Sequence, residues 1–368
     1  VAGGRFLIVA VGAFRLDSIA HAEERDSGTG GFAMFAESAL PVVQNLNSKS
    51  GRDFYGLDPA PLNGVSIVPL RVHDGDEASC LNLNRAQVPR ILGVQPYSLQ
   101  NRGAFTFAQV AKGLAKDKPW LLLDRPMPDG TVPAIADQAS IVWALGKKVG
   151  DTIDYTDGHG RSFKLLLVGA LANSILQGSL IISEDAFVAR FPSESGYRMF
   201  LIDAPPNGAP AAARALSRAL QDVGLEVTPA WRRLEAFNAV QNVYLSTFQV
   251  LGGLGLLLGS VGLGIVVLRN VLERRGELAL LQAVGFTRKD LHWIVLSEHG
   301  ALLAIGLLIG ITTAIVAVLP ALLTPGTRLP VRSLALTLAA VLMNGALWAW
   351  LATRFALRGR LLEALRNN

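Results

Sequence analysis

Two stretches in the last third of this chain, Leu245–Leu268 and Gly300–Leu323, contain no Asp, Glu, Lys or Arg. Each has roughly the twenty apolar residues that a helix needs to cross the hydrocarbon core of a bilayer. A third run, Ser333–Thr353, is just long enough. Between the first two lies ERRGELALLQAVGFTRKDL, Glu273–Leu291, a charged and helix-forming segment. A short basic connector between two membrane helices is a place where an intracellular partner can push. The chain therefore reads as part of a membrane machine rather than a soluble enzyme.

The length suggests two to three domains, at about 100–200 residues each. Apolar residues crowd into the last third, while Leu16–Glu235 reads as an ordinary soluble α/β segment. A net charge of +5 could point to nucleic acid, but its placement argues otherwise. The excess sits beside the apolar runs, at Arg269, Arg274, Arg275, Arg288 and Lys289, then at Arg354, Arg358, Arg360 and Arg366. Lys and Arg flanking membrane spans stay in the cytoplasm. That puts the 269–291 connector and the C-terminus inside, and no nucleic acid is expected as a partner. Thr324–Arg332, with only Arg328 and Arg332, becomes the outer loop. Three crossings then leave the large domain outside.

That domain needs its own way across. The opening VAGGRFLIVAVGAF has an apolar stretch, Phe6–Phe14, about half the length of a span. We read residues 1–15 as the outer half of a membrane helix, with Arg5 obliged to snorkel or find a partner. A strand of the soluble domain, or a signal remnant cleaved near Ala20-His21-Ala22, is the alternative.

Residues 16–235 alternate between strands and helices. Gly31–Glu37 reads as a strand, Leu40–Asn47 as a short helix and Val65–Val72 as a strand. The order returns with strand Tyr197–Asp203, helix Ala211–Val223 and strand Leu225–Thr228. Two β-α-β units at the two ends fit a ferredoxin-like, split β-α-β layer. Between them, at about 95–195, lies a β-rich insertion in which VGDTI at 149–153 enters a strand. Turn residues 157–160 follow, and Phe163–Val168 alternates back out. The fold class is α+β: this outer domain plus a helical transmembrane bundle at 236–368, with spans near 245–268, 298–322 and 333–354.

Catalytic patterns are missing. His21, His73 and His159 are too scattered for a metal site, and there is no HExxH or CxxC. G-x-S-x-G is absent, and Asp74-Gly75-Asp76-Glu77 lacks the EF-hand ligand pattern, so it reads as a solvated acidic turn. Cys80 has no second cysteine to pair with and reads as a small buried residue. No G-x-x-x-x-G-K-S/T occurs, so the chain does not itself hydrolyse ATP by a P-loop, and no directly bound cofactor is expected.

The first long run is rich in glycine. Gly255 and Gly259, Ser260 and Gly264, and Gly306 and Gly310 in the next run each stand four apart. Small residues at this spacing let helices approach closely. In the connector, Leu278, Leu281 and Ala283 with Val284 form an apolar stripe, opposite Glu273, Arg274, Arg275 and Glu277. Gly285 ends that helix by accepting a left-handed backbone. Thr287 begins another, with Asp290 as its capping partner. A plain loop obeying the charge rule is the bland alternative. Glu298 and His299 lie near the inner end of the second run, where ionisable groups are candidates for function or for an interfacial structural role.

ERRGELALLQAVGFTRKDL followed by Glu298 resembles the connector of FtsX-like permeases, the membrane subunits of MacB-type ABC systems. The family's basic start, leucine run, Ala-x-Gly and following basic residue fall on Arg274, Arg275, Glu277, Leu280, Leu281, Ala283, Gly285 and Arg288. VGDTI, a turn and FKLLLVGAL resemble the extracytoplasmic core domain of that family. The resemblance implies four membrane helices, with the large domain between the first and second, in the plasma (inner) membrane. It implies a cytoplasmic ATPase carrying the ATP, which docks on a segment including Phe286. A second permease protomer, or an N-terminal half of a longer chain of which this is the C-terminal portion, completes the unit. A periplasmic protein or lipoprotein is a further expected partner. A membrane-anchored receptor or scaffold without ATP coupling is the alternative from another class.

Overall fold

The computed structural model describes residues 22–76, 88–114, 117–322 and 331–356. Phe6–Phe14, His21, Glu77, Cys80, the loop 324–330 and Arg358, Arg360 and Arg366 lie outside the described residues. By internal contacts the chain divides into two units, one built on Leu16–Gln241 and the other on Asn242–Leu323 with the C-terminal segment.

The first unit is a mixed α/β domain. It opens with β1 (Met34–Val42), α1 (Lys49–Phe54) and β2 (Ser66–His73). The middle of the chain supplies β3 (Arg90–Val94), α2 (Pro96–Arg102), β4 (Phe107–Val110), β5 (Val132–Asp137), β6 (Thr152–Thr156), β7 (Ser162–Leu171), β8 (Ser179–Ser183) and α3 (Glu184–Arg190). It closes with β9 (Tyr197–Asp203), α4 (Ala209–Ala219) and β10 (Glu226–Pro229). The sheet runs β10-β1-β9-β2-β3-β8-β5-β7-β4, with β6 on β7.

The four strands β10-β1-β9-β2 are antiparallel to their neighbours, and α1 and α4 each connect a parallel pair. This is the β-α-β-β-α-β order of a split β-α-β layer. One face of α4 carries Ala212 and Leu216 into a core with Ile67, Phe200 and Ile202. The short helix expected at Leu40–Asn47 is not there: β1 continues to Val42 and the chain turns. Two polar side chains explain the shift. Ser48 caps α1 by accepting from Gly51 N at 3.0 Å. Asn47 is bound to the backbone of Ile67 through both its amide atoms, at 2.6 and 2.9 Å, which pins the turn to β2.

The β-rich insertion begins earlier than position 95 and extends the same sheet. β3 pairs antiparallel with β2, then parallel with β8. β7 is long enough for β6 to pair with its first half and β4 with its second, while β5 runs parallel along its other edge. Trp120, Phe105 and Leu99 fill one side of this layer, and Phe163, Phe187 and Phe191 fill another core. Asp137, fully buried at the end of β5, accepts from Ser174 N, Ala139 N and Gln177 Nε2. Burial pushes its carboxyl above the usual value against the pull of those donors.

The groups of this unit weighed as metal or calcium ligands make contacts within the fold. His73 stacks on Phe191 with centroids 4.2 Å apart, and its Nδ1 lies 3.0 Å from Glu194. In the acidic turn, Asp74 is ion-paired with Arg198 at 2.8 Å and Asp76 accepts from Val88 N at 3.0 Å. Asp157 holds the turn after β6 by accepting from His159 N and Arg161 N, both at 2.9 Å. Among the described residues, no three His, Cys, Asp or Glu side chains come together in a way that could hold a metal.

The second unit consists of helices. α5 (Ala230–Glu273) is 44 residues long, and its first turns, with Leu234, belong to the core of the first unit. α6 (Arg275–Ala283), α7 (Arg288–Leu322) and α8 (Val331–Ala356) follow. Among the described residues two helical segments are long and apolar enough to cross a membrane, Asn242–Glu273 and Lys289–Thr313. Asn242–Glu273 contains the first expected span, 245–268, and Lys289–Thr313 overlaps the second, 298–322, only as far as 313. The third expected span, 333–354, lies in α8, which is helical but is not among those two.

Candidate functional site

The connector is built from its two ends inward. At the end of α5, Arg269 pairs with Glu273 one turn on, at 2.7 Å. Arg274 leaves the helical conformation (φ −92°, ψ 14°), yet Arg274 N still donates to Asn270 O and Leu278 N to Arg274 O. α6 then runs nine residues. It stops where Gly285 takes φ +112°, with Gly285 N on Gln282 O and Phe286 N on Leu281 O. Gly285 thus supplies the backbone turn that ends the helix.

Thr287 opens α7 with a reciprocal cap. Its N–H and hydroxyl donate to Asp290 Oδ2 at 2.8 and 2.6 Å, while Asp290 N donates back to Thr287 Oγ1 at 3.3 Å. Two of the unpaired donors at a helix start are satisfied this way. Asp290→Ala is expected to loosen the first turn of α7, because the Thr287 N–H loses its acceptor. Amide exchange at 288–291 would then quicken while the rest of α7 stays protected. Unchanged exchange there would show that packing alone sets the start of α7.

The connector's apolar residues divide between two faces. Leu278 is buried with Val267 and Val271 of α5 and Leu291 and Val295 of α7, and Leu281 packs against this cluster. The stripe read from the sequence also included Ala283 and Val284, and these two are exposed. The reason is geometric: Leu278 sets the buried face, and at about 100° per residue positions 283 and 284 lie roughly 140° and 120° round the helix from it. Leu280, out of phase with Leu278 and Leu281, is 61% exposed, Val284 is 75% exposed and Phe286 43%. Those three, with Gly285 between the last two, form the apolar surface of the connector. Trp293, on the first turns of α7, is exposed as well.

Polar residues tie the connector to α7. Arg274 Nε reaches Glu277 at 3.0 Å and its Nη1 reaches Glu298 at 2.9 Å. His299 is buried, with Nδ1 2.9 Å from Val295 O and with no hydrogen-bond partner for Nε2 among the described residues. The side chains of Arg275 and Arg288 lie outside the described residues.

This geometry sits inside a recognisable segment. Residues 250–360 match the FtsX-like permease C-terminal family. The matched segment takes in the whole connector, both caps, Glu298 and His299, and both long apolar helices in large part. A permease family and two such helices together mark a membrane protein. No curated protein matches this chain significantly. Among solved structures, the chain is similar to the periplasmic region of MacB from Actinobacillus actinomycetemcomitans. That likeness has 11% identity, covers 58% of this chain and 94% of that one, and has a TM-score of 0.29.

Within the FtsX-like segment the small residues differ in their surroundings. Ser260 and Gly264 are buried, and a Cβ on Gly264 would stand 3.3 Å from Trp348 Cε3 of α8. Gly264 therefore lets α5 and α8 approach. Gly310 is buried, Gly259 and Gly306 are half-buried, and Gly255 is exposed. Of the expected packing pairs, Ser260 with Gly264 is the one fully enclosed in this protomer.

Sequence reading placed the break and the caps but passed over Val284 as a surface residue. The signal was present, because Val284 follows the last residue that the helical stripe can place inward.

Proposed function

We propose that this chain is the membrane permease subunit of an ABC-type system. In this reading the surface made by Leu280, Val284 and Phe286 docks on a cytoplasmic P-loop ATPase. ATP is bound and hydrolysed on that partner, and the connector passes its movement along α5 into the chain of the outer domain. The cytoplasmic end is the one carrying the connector and the C-terminus, and the α/β domain lies outside the inner membrane. Two permease units, from a second protomer or from another part of a longer chain, complete the assembly. The output is export, lipoprotein extraction or mechanical signalling to a periplasmic protein.

One observation carries this reading. Three large apolar side chains are displayed on a helix-break-helix segment between two long apolar helices, inside the part that matches a permease family. A water-facing loop has no reason to display them together, whereas a docking element does.

The test uses the full-length parent protein, tagged and extracted in mild detergent. Wild type and a Leu280→Ser, Val284→Ser, Phe286→Ser triple variant are compared for co-purifying proteins. A P-loop ATPase recovered with wild type and reduced about tenfold or more in the variant is the expected result, since tenfold is about 1.4 kcal/mol. Recovery of an outer-domain partner with no ATPase in either sample would favour a receptor or scaffold instead.

A further inference from the structure

We propose that Arg274 is a positioning residue that clamps the connector to α7 through Glu298. The idea deepens the docking reading above, but its own test does not depend on an ATPase.

α6 has few means of holding its direction. It is nine residues long and enters through one non-helical residue, Arg274. It leaves through a glycine at positive φ. One face, through Leu278 and Leu281, rests on α5 and α7. Apolar packing of so short a helix leaves rotation about the contact weakly specified, because dispersion and burial are not directional. Among the described residues, the directional contact from the connector to α7 comes from Arg274. Its planar guanidinium uses Nε for Glu277, on α6 itself, and Nη1 for Glu298, 24 residues away on α7. One rigid fork thus fixes two carboxylates from two helices, which a lysine ammonium does with far less geometric control.

Glu298 has a matching need. It lies within the apolar segment Lys289–Thr313, next to buried His299, where a carboxylate is retained when it has a partner. The pair is about half exposed, at 51% and 49%. Half-exposed ion pairs are weak. A weak, directional contact suits a part that must be held and then released.

The test is a double-mutant cycle on the full-length protein in lipid nanodiscs: wild type, Arg274→Gln, Glu298→Gln and both together. Amide exchange at 276–284 is read by mass spectrometry. Each single variant is expected to quicken exchange about two- to fivefold, the range a half-exposed pair can supply, and the double variant no further. Glu298→Gln is the decisive arm. It is isosteric and sits on another helix, so a merely structural role for Arg274 at the start of α6 predicts no change in connector exchange. No change with Glu298→Gln, or additive effects in the double variant, overturns the clamp. Arg274→Lys keeps the charge and is expected to recover less than half of the lost protection; full recovery would replace the fork by simple charge attraction and overturn the proposal. ATPase recovery from the same samples is scored separately. A non-additive exchange pattern with no ATPase bound to wild type would leave the clamp standing and sink the docking reading alone.

Discussion

Gly285→Val should, on the docking reading proposed above, cut recovery of a co-purifying P-loop ATPase tenfold or more while the protein still inserts in the membrane. The argument is confined to the backbone. Gly285 holds φ +112°, and a Cβ built there would meet nothing within 4 Å. No clash with a neighbour is involved, so any loss must come from the conformation itself. For a residue with a side chain, such a φ costs of order 1–3 kcal/mol, and a β-branched residue is worst placed to adopt it. Valine would relax the break by changing the path of Val284–Phe286, which moves two of the three exposed apolar side chains. Alanine should show a smaller loss, and asparagine the smallest, because it tolerates positive φ best. Membrane fractionation checks insertion and affinity recovery checks docking. Wild-type recovery with Gly285→Val would mean that the turn at 285 has no part in presenting the surface.

That turn was legible in the sequence because its causes are local. A glycine after a leucine run, then Thr287 with an acid three residues on, specify a stop and a start within six positions. The two apolar runs were legible for the same reason, since length and lack of charge suffice. Boundaries were less so. α5 begins at Ala230, well before the expected span, because Ala230, Leu234 and Phe237 bury one helical face in an otherwise polar stretch. Reading for apolar runs hides an amphipathic lead-in of this kind. In the α/β unit the strands at both ends were readable, each being a local pattern, but the first helix was not, because β1 runs on to Val42 and the cap at Ser48 starts α1 only at Lys49. The pairing of β3 with β8 was not, because Arg90 and Ser179 meet across most of the insertion. Arg274 and Glu298 pose the same problem in the connector. The i,i+3 grammar of one helix finds Arg274 with Glu277 and has nothing to say about a partner 24 residues on. The sorting of Leu280 from Leu281 is intermediate: the phase was written in the sequence, but only the burial of Leu278 between α5 and α7 sets which phase faces inward.

The largest stability effect is expected from Trp120→Ala, read in the unit 16–241, which has its own cores and so can be expressed and melted alone. Trp120 is 1% exposed, in a 3-10 turn at Pro119–Asp124. Its ring meets Phe107 and Phe105 edge-on, with centroids 5.4 and 6.1 Å away, and its Nε1–H donates to Ala104 O at 2.9 Å. Removing it loses the burial, leaves a cavity beneath β4 and strips a carbonyl of its donor. Losses of this kind run to about 3–5 kcal/mol. For a domain of about 200 residues that lowers Tm by about 6–20 °C. Trp120→Phe keeps much of the apolar volume while orphaning the same carbonyl, so its melting point should fall between the two. Trp143 provides the contrast: it is 75% exposed on the turn after β5, and its replacement by alanine should shift stability by no more than about 0.5 kcal/mol. If Trp120→Ala and Trp143→Ala melt together near wild type, the indole is not the keystone of this core. If Trp120→Ala alone falls, the side of the sheet beneath β4 and β7 is held by that one ring and its hydrogen bond.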